Sequence, residues 1–259
     1  MLQQLRLILA AIQFFTRLPV PAWVGHSAEP LQQAARYLPL AGTLVGALSA
    51  AVLWLAAQAL PPTLAVALCM AAGILATGAF HEDGLADFAD GMGGGHTKEK
   101  ILAIMKDPRT GSFGVIALVL ALLLKYQALL ALCDLHSPLL LAAALVAAHA
   151  VSRVMAVSLM FTQEYVRDDD SARARPAAQR MSGASFAVAL FTGLAALYLP
   201  YAAGAPPASI CAALGAALLA RIWLAWRVQK RLGGYTGDCL GAVQQVAELA
   251  FYGGLLAAF

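Results

Sequence analysis

The chain has 259 residues, of which 61% are hydrophobic and only 12% are charged, and its mean hydropathy is +0.74. In soluble domains about a quarter of all residues are charged, so this composition excludes an ordinary soluble protein and predicts an integral membrane protein. No nucleic-acid partner is expected, and the net charge of +3 says little by itself, because in a membrane chain it matters which loops hold the cations. The cysteines have no CxxC spacing and are interpreted as small apolar packing residues: Cys69, Cys133, Cys211 and Cys239.

Apolar runs set the predicted fold. A run needs roughly 17 to 25 residues to cross the hydrocarbon core of a bilayer. Seven runs predict seven membrane-spanning helices, with six or eight as the alternatives, and they cover residues 38–60, 64–80, 113–132, 139–161, 185–199, 209–226 and 242–259. The predicted fold class is therefore all-α, a polytopic helical bundle that forms one membrane-embedded domain over residues 1–259.

The N-terminal run, residues 2–15, is shorter and is interrupted by Gln3, Gln4, Arg6 and Gln13. No small-residue cleavage site follows it, so a cleaved signal peptide is not expected. Its one-sided polar positions instead predict an interfacial or re-entrant helix that lies against the bundle.

The basic residues are confined to alternate loops. All 17 Lys and Arg residues except Lys125, Arg153 and Arg221 lie before the first predicted span or in the second, fourth and sixth loops. The positive-inside rule therefore places the N-terminus and these loops in the cytoplasm and the C-terminus outside. Charges within spans usually face the bundle interior or a polar cavity, although Lys125 and Arg221 are also long enough to snorkel to the interface.

The most acidic stretch follows the second apolar run, with Glu82, Asp83, Asp87 and Asp90 falling within nine positions. If this stretch is helical, the three aspartates share one face. Like charges on one face repel unless a cation joins them, and Mg²⁺ accepts one or two carboxylates together with phosphate oxygens. The stretch therefore predicts a magnesium and phosphate site. The simpler alternative is a solvated helix start whose acids favour the helix dipole.

Two glycine-containing segments reach the same predicted side of the membrane. Residues 105–114 precede the third span, where freed backbone amides, a helix N-terminus and an arginine together favour an anion site. Residues 233–241 form a second turn, in which glycines let the backbone approach a ligand closely. For each segment the alternative is an ordinary polar turn between helices. The residues of interest are Asp107, Arg109, Gly111, Gly114, Gly237 and Asp238.

These segments belong to a pattern that runs through nearly the whole chain in order. It comprises Phe15-Thr16-Arg17-Leu18-Pro19-Val20-Pro21, Phe80-His81-Glu82-Asp83-Gly84-Leu85-Ala86-Asp87, Asp90-Gly91, Asp107, Arg109, Gly111, Gly114, Ser152-Arg153, Thr236-Gly237-Asp238, Leu240-Gly241-Ala242 and Glu248. As a set, the pattern resembles the cobalamin synthase family, the adenosylcobinamide-GDP ribazoletransferases.

The resemblance implies a polytopic enzyme of late vitamin B12 assembly. Such an enzyme transfers α-ribazole, or its 5′-phosphate, onto adenosylcobinamide-GDP and releases GMP in a Mg²⁺-dependent reaction. It implies a multi-pass protein of the bacterial cytoplasmic (inner) membrane, with the N-terminus and the active site in the cytoplasm. The implied partners are the two small-molecule substrates and the lipid bilayer, and the formation of a homo-oligomer stays open.

Roles for the acidic residues follow as hypotheses. Asp83 and Asp87 bind Mg²⁺, with Glu82 as a further metal ligand. Asp90 either completes the metal site or takes the proton from the attacking hydroxyl. His81 either holds a carboxylate in place or acts as the base.

On the substrate side, Asp107 is expected to add a ligand and Arg109 to clamp a phosphate. Arg153 and Glu248 lie deeper in the spans, where they form either a buried ion pair or a pocket for polar substrate groups. The further substrate-binding candidates are Gly111, Gly114, Gly237 and Asp238.

Two other functions stay open on the residues alone. A phosphatidyltransferase that uses CDP-activated alcohols also carries clustered aspartates and glycines, but its Asp-Gly-x-x-Ala-Arg opening is absent because Asp87 follows Ala86. A transporter of a cationic solute or metal ion would use the intramembrane charges as its pathway. The run Asp168-Asp169-Asp170 is interpreted as a solvated charge run.

Overall fold

The computed structural model describes residues 2–25, 33–135, 137–166 and 180–258, and within them the side chains of all but residues 134 and 135. The regular structure of these residues is helical apart from one isolated bridge between Tyr165 and Tyr235, so the predicted all-α class is confirmed. In chain order the helices are α1 (Leu2–Phe15), α2 (Leu38–Ala56), α3 (Pro62–Thr77), α4 (Phe80–Gly94), α5 (Lys98–Ile104), α6 (Ser112–Leu135), α7 (Pro138–Thr162), α8 (Gly183–Ala195), α9 (Tyr198–Ala202), α10 (Pro207–Leu232) and α11 (Gly237–Ala257).

The helices confirm a polytopic bundle, with a count that differs from seven. By length and composition, five stretches of the described chain are able to cross a membrane: Ala35–Ala56, Ser112–Cys133, Pro138–Thr162, Gly183–Ala202 and Pro207–Leu232. A sixth is added if α3 and α4 count as one bent span. Helix α11, which covers the predicted seventh span, falls outside this set because Gln244, Gln245 and Glu248 make it more polar.

Helix α7 forms the centre of the bundle, and almost all of its side chains are buried. Helix α2 packs against it through Gly42 and Gly46, which lie one turn apart. A Cβ atom at Gly46 would lie only 2.8 Å from the Cα of Val146, so the glycines allow the two backbones to touch. Helix α6 is apolar and mostly exposed, as expected of a helix that faces lipid.

Helix α1 confirms the predicted N-terminal helix at residues 2–15, and it is too short to be among the membrane-crossing candidates. It leads to the junction between α3 and α4, where the backbone N–H of Arg17 donates to the carbonyl of Ala76 at 2.7 Å. The guanidinium of Arg17 lies against Gly78, and a Cβ atom at Gly78 would collide with it. Arg17 therefore contacts the turn that leads into the acidic helix.

A sharp bend separates α3 from α4. The two helix axes meet at 87°, and the turn uses left-handed backbone at Gly78 (φ 67°) and Ala79 (φ 60°). A left-handed φ is unusual for a residue with a side chain, so the bend is imposed at some cost. Helix α4 consequently runs across the bundle instead of continuing α3, and the predicted span 64–80 ends at Thr77.

Candidate active site

Helix α4 carries the acidic residues, as the sequence predicts. Asp83 is exposed, Asp87 is half-buried and Asp90 is buried. Because they are spaced by four and three residues on a regular helix, the three carboxylates lie along one face. The helical condition on which the predicted magnesium site depended is met.

Asp90 connects this face to the start of α6. Its two carboxylate oxygens accept the backbone N–H groups of Gly111, at 2.6 Å, and Gly114, at 2.8 Å. A Cβ atom at either glycine would collide with the Asp90 carboxylate, so both positions need glycine for this contact. The amides that were expected to bind an anion therefore bind one supplied by the chain itself, and Asp90 caps the N-terminus of α6.

Asp107 and Arg109 form a bidentate ion pair in the loop that leads to Gly111. The guanidinium donates from Nε to Oδ1 at 2.9 Å and from Nη2 to Oδ2 at 2.6 Å, and the backbone N–H of Arg109 also donates to Oδ1. These bonds lower the pKa of Asp107 to about 2, so it is a carboxylate at neutral pH. The Arg109 side chain is 86% exposed, which leaves its other N–H groups accessible to a phosphate.

The glycine-rich turn before α11 reaches the opposite flank of α4. The two helices touch at Gly84 and Gly241, and a Cβ atom on Gly84 would lie 3.3 Å from the Cα of Gly241 and from the Cα of Asp238. Thr236 fixes the start of α11 by accepting the backbone N–H of Cys239 at 3.4 Å. Gly237 is the first residue of the helix. The second predicted segment therefore meets the acidic helix between Asp83 and Asp87.

His81 and Glu82 occupy other surroundings than the aspartates. The ring of His81 is buried and lines a small cavity with apolar residues that include Phe14, Phe15 and Leu240. Glu82 is held by α11, because Oε1 accepts the side-chain N–H of Gln245 at 2.9 Å. Its Oε2 atom is buried without a hydrogen-bond partner in the described structure. The predicted roles of His81 as base and of Glu82 as metal ligand stay predictions.

The aspartates of α4 fit a Mg²⁺ site that uses few protein ligands. Within the described ranges, no three His, Cys, Asp or Glu side chains converge as a preformed metal cluster. Mg²⁺ does not require one, because it is usually held by one or two carboxylates together with phosphate oxygens and water. Asp83 and Asp87, one turn apart and not fully buried, fit such a site.

A second polar cluster lies in the centre of the bundle. Glu248 is only 1% exposed, and its Oε1 atom lies 2.5 Å from Nζ of Lys125 and 3.5 Å from Nε2 of His149. Its Oε2 atom lies 3.4 Å from Nη1 of Arg153. The ion pair between Arg153 and Glu248, one of the two sequence interpretations, is thus present. Lys125 joins it and does not extend to the membrane surface.

Two glutamines connect this buried ion cluster to the acidic helix. Gln244 donates to Glu248 at 2.6 Å and to Ser152 at 3.1 Å. Gln245 donates to Gln244 at 2.9 Å as well as to Glu82. The sequence analysis missed both glutamines. The available signal was the one-turn spacing of Gln244 and Glu248 on an otherwise apolar helix.

Comparison with known proteins gives the family. A family model described as cobalamin-5-phosphate synthase matches residues 7–256 of the chain. The chain belongs to the cobalamin-5-phosphate synthase family. This result confirms the family that the sequence pattern indicates, and membership makes the chain an enzyme of cobalamin synthesis.

Curated relatives of this chain are named adenosylcobinamide-GDP ribazoletransferase. The relative from Shewanella frigidimarina is 47% identical over 97% of this chain and 94% of its own length. The relative from Leptothrix cholodnii is 49% identical over 99% and 97%, and that from Ralstonia nicotianae is 52% identical over 95% and 93%. No solved structure matches the chain.

The match to the cobalamin-5-phosphate synthase model includes every segment that meets on α4, from the end of α1 to the start of α11. The run Asp168-Asp169-Asp170, interpreted as a solvated charge run, lies outside the described residues. The next described basic residue, Arg180, forms an exposed ion pair with Glu164 at 3.3 Å.

Proposed function

We propose that the chain transfers α-ribazole, or its 5′-phosphate, to adenosylcobinamide-GDP, releasing GMP and forming adenosylcobalamin or its 5′-phosphate. The observation that carries the proposal is the name of relatives that are 47% to 52% identical over nearly the whole chain. The same names favour this activity over a phosphatidyltransferase or a transporter. The convergence of the predicted segments on α4 supports placing the reaction there.

The reaction is a displacement at phosphorus. The ribose 3′-hydroxyl of the nucleoside attacks the phosphate attached to cobinamide, the new O–P bond forms, and the bond to the leaving GMP breaks. The proton of the hydroxyl is released to water. Transfers of this kind depend on positioning and on neutralising the charge that grows on the phosphates. We propose that Mg²⁺, held by Asp83 and Asp87, supplies part of that neutralisation.

The remaining residues position the phosphates. Arg109, held in place by Asp107, offers exposed guanidinium N–H groups to a diphosphate oxygen. Asp90 fixes the loop that carries Arg109, because it binds the amide of Gly111 two residues further on. The hydrogen bonds that Asp90 accepts from two backbone amides favour this positioning role over the earlier alternatives of metal ligand and proton acceptor. Asp238, on the opposite flank of α4, is the candidate contact for the second substrate.

The proposed site lies at the cytoplasmic face of the bacterial inner membrane. The support is the positive-inside distribution of Lys and Arg, since the segment between α4 and α6 contains Lys98, Lys100, Lys106 and Arg109. Guanosine nucleotides and corrinoid intermediates are polar, so a site that opens to the cytoplasm suits them.

The test is an activity measurement on the purified full chain in detergent. Adenosylcobinamide-GDP, α-ribazole and Mg²⁺ are supplied, and GMP release is followed. We expect release that requires both organic substrates and stops when Mg²⁺ is chelated. Absence of release from folded protein would contradict the proposed activity, and release that survives chelation would contradict only the metal. Solute uptake into sealed vesicles without GMP formation would support a transporter instead.

A further inference from the structure

Helix α10 presents an apolar face that ends in two cations. Leu219 is 69% exposed, Trp223 56% and Trp226 54%, so this face has no protein partner within the described chain. At its C-terminal end, the guanidinium of Arg227 lies 5.7 Å from the ring centroid of Trp223, and Nζ of Lys230 lies 5.1 Å from that of Trp226. Both distances are within the range of cation–π contacts.

The five side chains form one stripe along the helix. Leu219, Trp223, Trp226 and Lys230 follow one another at intervals of four, three and four residues. Arg227 comes four residues after Trp223, so the five side chains lie on the same side of α10. The change from leucine through tryptophan to cations follows the change from hydrocarbon to headgroup at a membrane surface, where indole rings concentrate. The stripe therefore matches an acyl chain at one end and a headgroup at the other.

The headgroup end of the stripe is positively charged. In the described chain no carboxylate forms an ion pair with Arg227 or Lys230, whose contacts are the two indole rings. No carboxylate of the described residues therefore balances the charges of these two cations. An anionic phosphate would contact both cations, and the rings would hold the cations in place for it.

We propose that Trp223, Trp226, Arg227 and Lys230 form a binding site for the headgroup of an anionic phospholipid, whose acyl chain lies along Leu219. Charge complementarity distinguishes this occupant from a zwitterionic lipid and from a second copy of the chain. A second copy would place the same two cations against each other if the contact were symmetric.

The lipid site adjoins the acidic helix. Arg231, the residue after Lys230, donates from its guanidinium to the carbonyl of Gly95 at 2.5 Å, at the end of α4. Helix α5 begins three residues later with the exposed Lys98 and Lys100. A bound anionic lipid thus lies one residue away from the contact that holds the C-terminus of α4.

Fluorescence quenching by brominated lipids tests the proposal directly. The full chain carries Trp23→Phe and Trp54→Phe, so that only the two tryptophans of α10 emit. It is placed in bilayers that mix phosphatidylcholine with phosphatidylglycerol, with bromine on one lipid at a time. We expect brominated phosphatidylglycerol to associate about 25-fold more strongly than brominated phosphatidylcholine, because each of the two cations contributes about fivefold.

Two variants decide where any preference comes from. Arg227→Gln with Lys230→Gln should reduce the preference to about onefold, because the headgroup contacts are lost. Lys98→Gln with Lys100→Gln removes the same charge from α5 and should leave the preference unchanged. In bilayers of brominated phosphatidylcholine alone, where no lipid competes, unchanged quenching in each variant verifies that the helix still faces lipid.

Three results would overturn the proposal. Equal quenching by the two lipids in the parent would show no headgroup selection. A preference that survives Arg227→Gln with Lys230→Gln would place the selection elsewhere. Absence of quenching by either lipid would show that another copy of the chain covers the face. None of these measurements depends on catalytic activity.

Discussion

The ammonium of Lys125 on α6 lies 2.5 Å from the carboxylate of Glu248 on α11, and both side chains are more than nine-tenths buried. Breaking a buried ion pair costs about 3–5 kcal/mol, because the remaining charge loses its partner. We therefore expect Glu248→Gln to lower the free energy of unfolding by that amount, since Lys125 and Arg153 both lose their carboxylate. Unfolding in mixed detergent micelles measures the change.

The pairing itself is tested by a double-mutant cycle. Lys125→Met and Glu248→Gln should together cost less than the sum of the two single changes, because each removes the same contact. Strict additivity would mean that the two charges do not interact in the folded protein.

A substitution of Gly114 should disrupt the cap that Asp90 forms on the N-terminus of α6. Gly114→Ala places a Cβ against the Asp90 carboxylate, so the cap of α6 must shift. Loss of a helix cap costs about 1–2 kcal/mol, and displacement of the loop that carries Arg109 should also slow GMP release. Gly215→Ala on α10 is the matched control, because nothing lies within 4 Å of the added Cβ. Equal effects at the two positions would contradict the proposed constraint.

The magnesium proposal predicts a specific effect at Asp87. Asp87→Asn keeps the size of the side chain but removes its charge, so GMP release should fall by at least about a hundredfold while the protein still folds. The Mg²⁺ concentration for half-maximal release should rise wherever residual activity is measurable. Glu99→Gln also replaces a carboxylate by an amide, at an exposed position on α5, and should leave GMP release unchanged. Near-normal release by Asp87→Asn would remove this residue from the metal site.

The bond between Gln245 and Glu82 predicts a rescue experiment. Glu82→Gln should reduce activity, because the carboxylate at the contact of α4 and α11 is lost. Adding Gln245→Glu moves the carboxylate across the same 2.9 Å bond and keeps the net charge, so part of the activity should return. Gln245→Leu removes the link altogether and should give no rescue. A double variant no better than Glu82→Gln alone would show that the carboxylate has to be at position 82.

Periodic features were predictable from the sequence because they depend on neighbours in the chain. Apolar runs predicted the helices, and the spacing of Asp83 and Asp87 predicted a shared face. The distribution of Lys and Arg also suggested that residues 105–114 and 233–241 reach the same side as α4, and the contacts of Asp90 and Gly84 bring them together.

Contacts between distant segments were not predictable in this way. Nothing local indicates that Asp90 binds Gly111 and Gly114, because that contact depends on the 87° bend at Gly78 and Ala79. The same holds for Lys125, whose length is compatible either with snorkelling or with an inward turn. Only the position of Glu248 on a neighbouring helix decides between them.

The bend between α3 and α4 has a consequence for how substrates meet the enzyme. Asp90 comes seven positions after Asp83 on the helix, so the row of aspartates is about 10 Å long. With α3 upright in the bilayer, this row is level and all three carboxylates sit at one depth. A diphosphate held by Mg²⁺ at Asp83 and Asp87, as we propose, would then lie close to the membrane plane. In the proposed site, the bilayer would therefore fix the height and tilt of the row of aspartates relative to a substrate that arrives from water.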